Sequence, residues 1–248
     1  MYPIFFRIGP ITVYSYGLML ALAFIISTYL ARRHALRQNF PQEIIFDLAS
    51  YILVSGIIGA RLFYVIINFA EYKSRPFEIL MLQRGGLSFY GGALGAFLAS
   101  IWFVRRRRIS FYKIADLISP FVALGQAVGR LGCLLRGCCF GAVINRGLRI
   151  KFPDEVVYRH PTQIYAAIID LLIFLWLGRL SREKHFAGKI FLSYLIFYSL
   201  KRFFMDFLRA DVQPLYLKLT IFQIFSLLVF ALSYIIFFYK RTKNLPDG

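Results

Sequence analysis

The run Gly129-Arg130-Leu131-Gly132-Cys133-Leu134-Leu135-Arg136-Gly137-Cys138-Cys139-Phe140-Gly141 brings together two arginines, four glycines and all three cysteines of the chain. An arginine fork matches the planar oxygens of a phosphate better than a lysine point charge does, so Arg130 and Arg136 are candidates for gripping an anionic group. Three cysteines allow one disulfide, from Cys133 to Cys138 or Cys139, with one thiol left over. Arginine-activated thiolates and inert small residues fit the same run. A metal site here would need a further ligand from afar, such as His160, and no metal is expected.

Tyr198, Arg202 and Asp206 stand at i, i+4 and i+8, so one helical stripe carries all three. A charge at the centre of a membrane helix costs about 2.5–3.5 kcal/mol on insertion scales. Arg202 is therefore read as aimed into a cavity with Asp206 fixing its guanidinium, against the simpler reading of a pair neutralised between helices. Arg61 lies deep in an apolar run behind Gly56 and Gly59 and is read as a substrate contact. Asp47, Lys113 and Asp116 sit near run ends, where a charge snorkels or caps. The stretch Gly85 to Gly95, which includes Tyr90, Gly91 and Gly92, opens another run. Missing side chains there let backbone N–H groups approach an anion, while Gly91 and Gly95 also form a GxxxG packing pair. His160-Pro161-Thr162-Gln163-Ile164-Tyr165 starts a further run with Pro161 in its first turn. His160 itself fits a ligand contact, a base or a surface residue.

The elements that must position these groups are membrane helices. Of 248 residues, 59% are hydrophobic, 18% aromatic and only 17% charged, which does not describe a water-soluble surface. Extended disorder, a secreted disulfide scaffold and a cytosolic enzyme are excluded. About 20 apolar residues make one helical crossing, so the chain has room for six to eight spans and no sizeable soluble domain. Apolar runs broken by charge give seven: roughly 13–31, 44–70, 86–104, 111–129, 162–180, 188–207 and 219–239. The whole chain, 1–248, reads as one integral membrane domain with a partly structured external segment at about 130–161.

Lys and Arg near span ends tend to stay cytoplasmic. Arg32, Arg33 and Arg37, then Arg105 to Arg108 with Lys113, Arg179 to Lys189, and Lys240 to Lys243 fall on one side, which is read as the cytoplasm. The N-terminus is then outside and the C-terminus inside, as an odd number of spans requires. No signal-peptide charge pattern precedes the first run, so that helix is expected to persist in the mature protein. The outer side still holds Arg7, Lys73, Arg75, Arg84, Arg130, Arg136, Arg146, Arg149, Lys151, Arg159, Arg209 and Lys218. Such an exception to the charge bias fits a protein that holds something anionic at the outer face. With a net charge of +18 in a chain this apolar, the partner is expected to be anionic membrane lipid, and no nucleic acid.

In order along nearly the whole chain, these segments resemble the prolipoprotein diacylglyceryl transferases of bacterial inner membranes. The pieces are Ile8-Gly9-Pro10, Tyr16-Gly17-Leu18-Met19, Gly59-Ala60-Arg61-Leu62, Gly85 to Gly95, Gly129 to Gly141, His160 to Tyr165, and Tyr198 to Asp206. The resemblance implies a multi-pass inner-membrane protein of seven spans with a periplasm-facing cavity and no cofactor. It implies transfer of the diacylglyceryl group of phosphatidylglycerol to the lipobox cysteine thiol of a prolipoprotein signal peptide, releasing glycerol phosphate. By position Arg130 and Arg202 match the family's essential arginines, Tyr16 and Tyr198 its tyrosines, Gly141 the glycine closing its signature, and Asp206 stands where the family has glutamate. Departures are Tyr90 for a histidine, Cys133 and Arg136 for asparagines, and Cys138 and Ala166 for glutamates. The expected catalytic set is Arg130, Arg202, Tyr90, Tyr16 and Asp206. Substrate contacts are expected from Arg130, Arg61, Tyr198, Gly91, Gly92, Gly141, Cys133, Cys138 and His160. The departures leave two other readings open: a divergent lipid-group transferase with another acceptor, and a non-catalytic phospholipid-binding protein on the same scaffold.

Overall fold

The computed structural model describes residues 2–9, 11–73, 76–81, 85–152, 156–210 and 219–243. Pro10, Arg75, Arg84 and Lys218 lie outside the described residues. Helices run over Ser15–Arg37 (α1), Gln42–Ile67 (α2), Phe69–Tyr72 (α3), Phe89–Arg106 (α4), Phe111–Arg136 (α5), Thr162–Leu180 (α6), Lys189–Leu208 (α7) and Ile221–Lys243 (α8). A 3-10 turn covers Pro76–Leu80. Two small antiparallel ribbons, which hydropathy did not announce, pair Ile4–Ile8 (β1) with Ile11–Tyr14 (β2) and Ile150–Lys151 (β3) with Tyr158–Arg159 (β4).

Among the described residues five helices, α1, α2, α5, α6 and α8, are long and apolar enough to cross a membrane. The other two expected spans are helices as well, but α4 ends in Arg105 and Arg106, and α7 carries Lys201, Arg202 and Asp206. A helix satisfies its own backbone, which lipid requires. The side chains are sorted in the sense opposite to a water-soluble protein. On α8, Phe225, Leu228, Leu232 and Ile235 point outward while Gln223, Ser226 and Ser233 are buried. The chain is an all-α integral membrane protein.

The residues fall into two compact units, Arg32–Ile114 and the remainder. In the first, α2 packs on α4 through glycine. A Cβ on Gly59 would stand 2.5 Å from the Gly91 carbonyl oxygen, and one on Gly95 would stand 2.5 Å from that of Ser55. At the end of this pair Arg107 Nη2 donates to Asp47 Oδ2 at 2.7 Å.

In the second unit the Ser15 hydroxyl donates to the Tyr2 carbonyl where the β1–β2 hairpin enters α1. Gly125 and Gly132 of α5 lie against Ser27 and Met19 of α1. α5 continues past residue 129, where its apolar run fades, to Arg136. α6 and α7 share a core of Ile173, Leu177, Ile190 and Tyr194 with Ala123 of α5, and α8 packs on α7. Asp116 caps the start of α7, accepting the Gly188 and Phe191 N–H groups at 2.6 and 2.8 Å.

Candidate functional site

A cleft in the second unit is lined by Arg130, Cys139, Thr162, Ala166, Lys201, Arg202, Met205 and Arg209. Arg130 comes from α5, Thr162 and Ala166 from the first turns of α6, and Lys201, Arg202 and Met205 from α7. Arg130 and Arg202, distant in sequence, thus line one cavity.

Two carboxylates attend these cations. Arg202 Nη2 is 3.2 Å from Asp206 Oδ1 across one helical turn, a separation of charges without hydrogen-bond alignment. Asp206 Oδ2 accepts the Thr220 hydroxyl at 2.8 Å. Thr220 in turn caps α8: its side-chain oxygen accepts the Gln223 N–H at 3.1 Å, while Gln223 Oε1 accepts the Thr220 N–H at 2.8 Å. This reciprocal capping box anchors the residue that anchors Asp206. Lys201 Nζ donates to Asp170 Oδ1 at 2.5 Å, both side chains being buried. The Tyr198 ring lies 4.5 Å from that Nζ and stacks on Tyr194. Arg130 has no hydrogen-bond or ion-pair partner among the described residues. Four cationic side chains with two carboxylates leave the cleft positive, suited to an anion.

The thiols gather at the cleft's edge. α5 stops in a Schellman turn: Gly137, at φ +77°, donates to the Leu134 carbonyl at 3.1 Å, and Cys138 N–H donates to the Cys133 carbonyl at 3.1 Å. That turn sets Cys133 beside Cys138. Cys139, at φ +63°, then turns the chain back. The three sulfurs lie within 4.8 Å of one another, with Cys138 and Cys139 sulfurs 3.7 Å apart. The side chains that follow His160 hold this loop in place, Thr162 Oγ1 donating to the Cys139 carbonyl at 2.7 Å and Gln163 Nε2 to that of Cys138 at 2.6 Å. All three cysteines are free thiols, without the disulfide that the run allows. Contact with the Cys133 and Cys138 thiols, with Arg209 and Arg130 nearby, holds Cys139 below the usual thiol range. Cys138 is pushed up by its hydrogen bonds to Cys133 and Cys139 and by burial.

Several expected site residues have other work. Arg61 spends all five of its N–H donors on backbone carbonyls. Nε reaches Ile79 at 2.7 Å, Nη1 reaches Gly85 and Gly86 at 2.6 and 3.0 Å, and Nη2 reaches Glu78 and Met81 at 2.5 and 3.3 Å. No donor remains for substrate, and Arg61 is a clamp on the backbone at Glu78, Ile79, Met81, Gly85 and Gly86. Gly91 and Gly92 are spent on packing α4 against α2. Tyr90 sits beside them in the first unit with its side chain exposed. Gly141 permits a close approach, since a Cβ there would meet the His160 Cβ at 2.6 Å and the Leu208 carbonyl oxygen at 2.7 Å.

His160 itself faces Tyr165, with Nδ1 3.4 Å from the phenol oxygen. Tyr16 packs at Gly132, with the Arg136 guanidinium 5.6 Å from its ring. Neither His160 nor Tyr16 lines the cleft. Cleft residues absent from the expected set are Cys139, Thr162, Ala166, Lys201, Met205 and Arg209. Arg209 follows directly on α7 in extended backbone, which carries its side chain to the cleft without a helical spacing to announce it.

The sequence pattern of the family described as prolipoprotein diacylglyceryl transferase matches residues 3–239. The phosphatidylglycerol–prolipoprotein diacylglyceryl transferase of Bacillus velezensis is 31% identical over 99% of this chain and 94% of its own length. Those of Geobacillus kaustophilus and Listeria innocua are each 34% identical. The alignments cover 97% and 98% of this chain, and 93% and 91% of the relatives' lengths.

Proposed function

This chain belongs to the prolipoprotein diacylglyceryl transferase family, and from that premise we propose that it transfers the diacylglyceryl group of phosphatidylglycerol to the cysteine thiol of a prolipoprotein. The sulfur attacks the glycerol carbon that carries the phosphate ester. The carbon–sulfur bond forms as the carbon–oxygen bond breaks, glycerol phosphate leaves with the bonding pair, and the thiol proton passes to the phosphate or to water. Charge moves from sulfur to phosphate oxygen along this path. A site for it therefore needs cations placed where the phosphate departs. The observation that carries the reading is the meeting of Arg130 and Arg202 in one cleft with more positive than negative side chains. Arg130 offers its fork to the phosphate, while Asp206 holds Arg202 in position beside it.

The proposal places the enzyme in the bacterial inner membrane with seven spans, the N-terminus outside, the C-terminus in the cytoplasm and the cleft open to the outer leaflet. The Lys and Arg clusters at 32–37, 105–113, 179–189 and 240–243 support that orientation. The acceptor is taken to be a signal peptide with its lipobox cysteine. Expression in a strain depleted of its own transferase tests the reading directly. Restored growth and lipoprotein modification are expected, and failure despite full membrane expression would overturn it. In a transfer assay with labelled phosphatidylglycerol, Arg130→Lys and Arg202→Lys should each lower turnover about 10²–10³-fold, since a point charge cannot replace the fork. Unchanged turnover in both variants would remove the two arginines from the mechanism.

A further inference from the structure

Thiols that serve only as small apolar residues at a helix stop need not face one another. Here the Schellman turn brings Cys133 and Cys138 side by side, and the left-handed residue Cys139 returns the third sulfur to the same point. Zn–S bonds of about 2.3 Å put the sulfurs of one tetrahedron roughly 3.8 Å apart. The Cys138 and Cys139 sulfurs stand at 3.7 Å, and all three lie within 4.8 Å of one another. Thr162 and Gln163 fix the carbonyls of Cys139 and Cys138, so the ligand loop is held by its own outer shell of hydrogen bonds. Three thiolates and a divalent ion carry one net negative charge. Arg130 and Arg209, which line the same cleft as Cys139, lie on the side where that charge is balanced.

We propose that Cys133, Cys138 and Cys139 form a tris-thiolate site for a thiophilic metal ion of the zinc class, with the fourth coordination position left to a ligand from the cleft. Among the described residues no fourth His, Cys, Asp or Glu joins the cluster. Three protein ligands with one position free is the pattern of reactive zinc sites, whereas structural sites are closed by four. Thiolate donors also select against the hard cations magnesium and calcium.

The test uses the full chain in detergent, with thiols kept reduced and no lipid substrate present, so its result is independent of the transfer reaction proposed above. After loading with Zn2+ and desalting against a weak chelator, one zinc per chain is expected by elemental mass spectrometry. Cd2+ in its place should give thiolate-to-metal charge-transfer absorption. Cys133→Ser, Cys138→Ser and Cys139→Ser should each weaken zinc retention by more than the roughly 10–100-fold that outer-shell changes cost. Cys138→His, which exchanges one ligand for another, should keep the ion and lose part of the cadmium absorption. Circular dichroism and gel filtration identify the variants that fold. The proposal is overturned if the reduced wild-type chain retains no zinc while its three thiols titrate as free, or if the triple serine variant retains as much zinc as the wild type.

Discussion

Arg61 and Arg130 are the same residue type in opposite states. Arg61 is 5% exposed and makes five hydrogen bonds to carbonyls, so its charge is met by backbone dipoles with none to spare. Arg61→Lys supplies three donors in place of five and leaves buried carbonyls unsatisfied, each at about 1–3 kcal/mol. The expected result is an earlier unfolding midpoint in detergent with unchanged phosphatidylglycerol affinity in the folded fraction. Reduced lipid affinity at full stability would restore Arg61 to the binding site. Cys139 gives a second prediction at this scale. Its folded pKa lies below that of an ordinary thiol, near 8.5 when unfolded. The thiolate's contribution to stability is therefore complete above about pH 8.5 and is lost as pH falls toward the depressed folded value. In metal-free reduced protein, one thiol per chain should react with iodoacetamide about as fast at pH 6 as at pH 8. The rate for an unperturbed thiol would instead fall about tenfold per pH unit. If all three thiols slow together on acidification, Cys139 is not depressed.

Close approach of α2 and α4 depends on the absence of side chains, since a methyl group on Gly59 would collide with the Gly91 carbonyl oxygen at 2.5 Å. The oxygen is backbone and a Cβ is fixed to its own backbone, so neither helix relieves the contact without moving. Gly59→Ala should destabilise the chain by about 1–3 kcal/mol, read as a shifted midpoint in a detergent unfolding titration, and an unmoved midpoint would show that the helices are free to separate. The elements themselves were largely open to sequence reading. Thr162–Leu180 was foreseen at both ends because Pro161 marks its start and Arg179 and Arg182 mark its finish. Hydropathy ends α5 at residue 129 because it fades at Arg130, whereas the backbone runs on until Gly137 can turn it. The capping box of Thr220 and Gln223 is legible in their three-residue spacing. Which arginine would be saturated and which left open was not legible. That depends on where the carbonyls of Glu78, Ile79, Met81, Gly85 and Gly86 fold, a tertiary fact with no local signature. The gathering of three sulfurs likewise needed the backbone turn at Cys139.

At the scale of the whole chain, two topologies share the same termini. If α4 and α7 cross the membrane, there are seven spans. If only the five most apolar helices cross, the number is still odd, and in both cases an external N-terminus leaves the C-terminus in the cytoplasm. A reporter at the C-terminus therefore decides nothing between them. The loops do. With seven crossings, the arginines at 105–108 and the turn at 181–188 are cytoplasmic and the 137–161 segment is external. With five, each of these three segments changes sides. The charge rule favours seven, because the other arrangement would export Arg105 to Arg108 as a block. The deep charges of α7 do not argue against its crossing. Lys201 is paired with Asp170 and Arg202 with Asp206, and both cations line the cleft, so the insertion cost of each is offset within the bundle. Alkaline phosphatase, active only when exported, should be inactive when fused after Arg108 or Ser181 and active when fused after Gly147. The reverse pattern would establish five crossings and would put the arginine cleft on the cytoplasmic side, where the proposed transfer to an exported prolipoprotein has no acceptor.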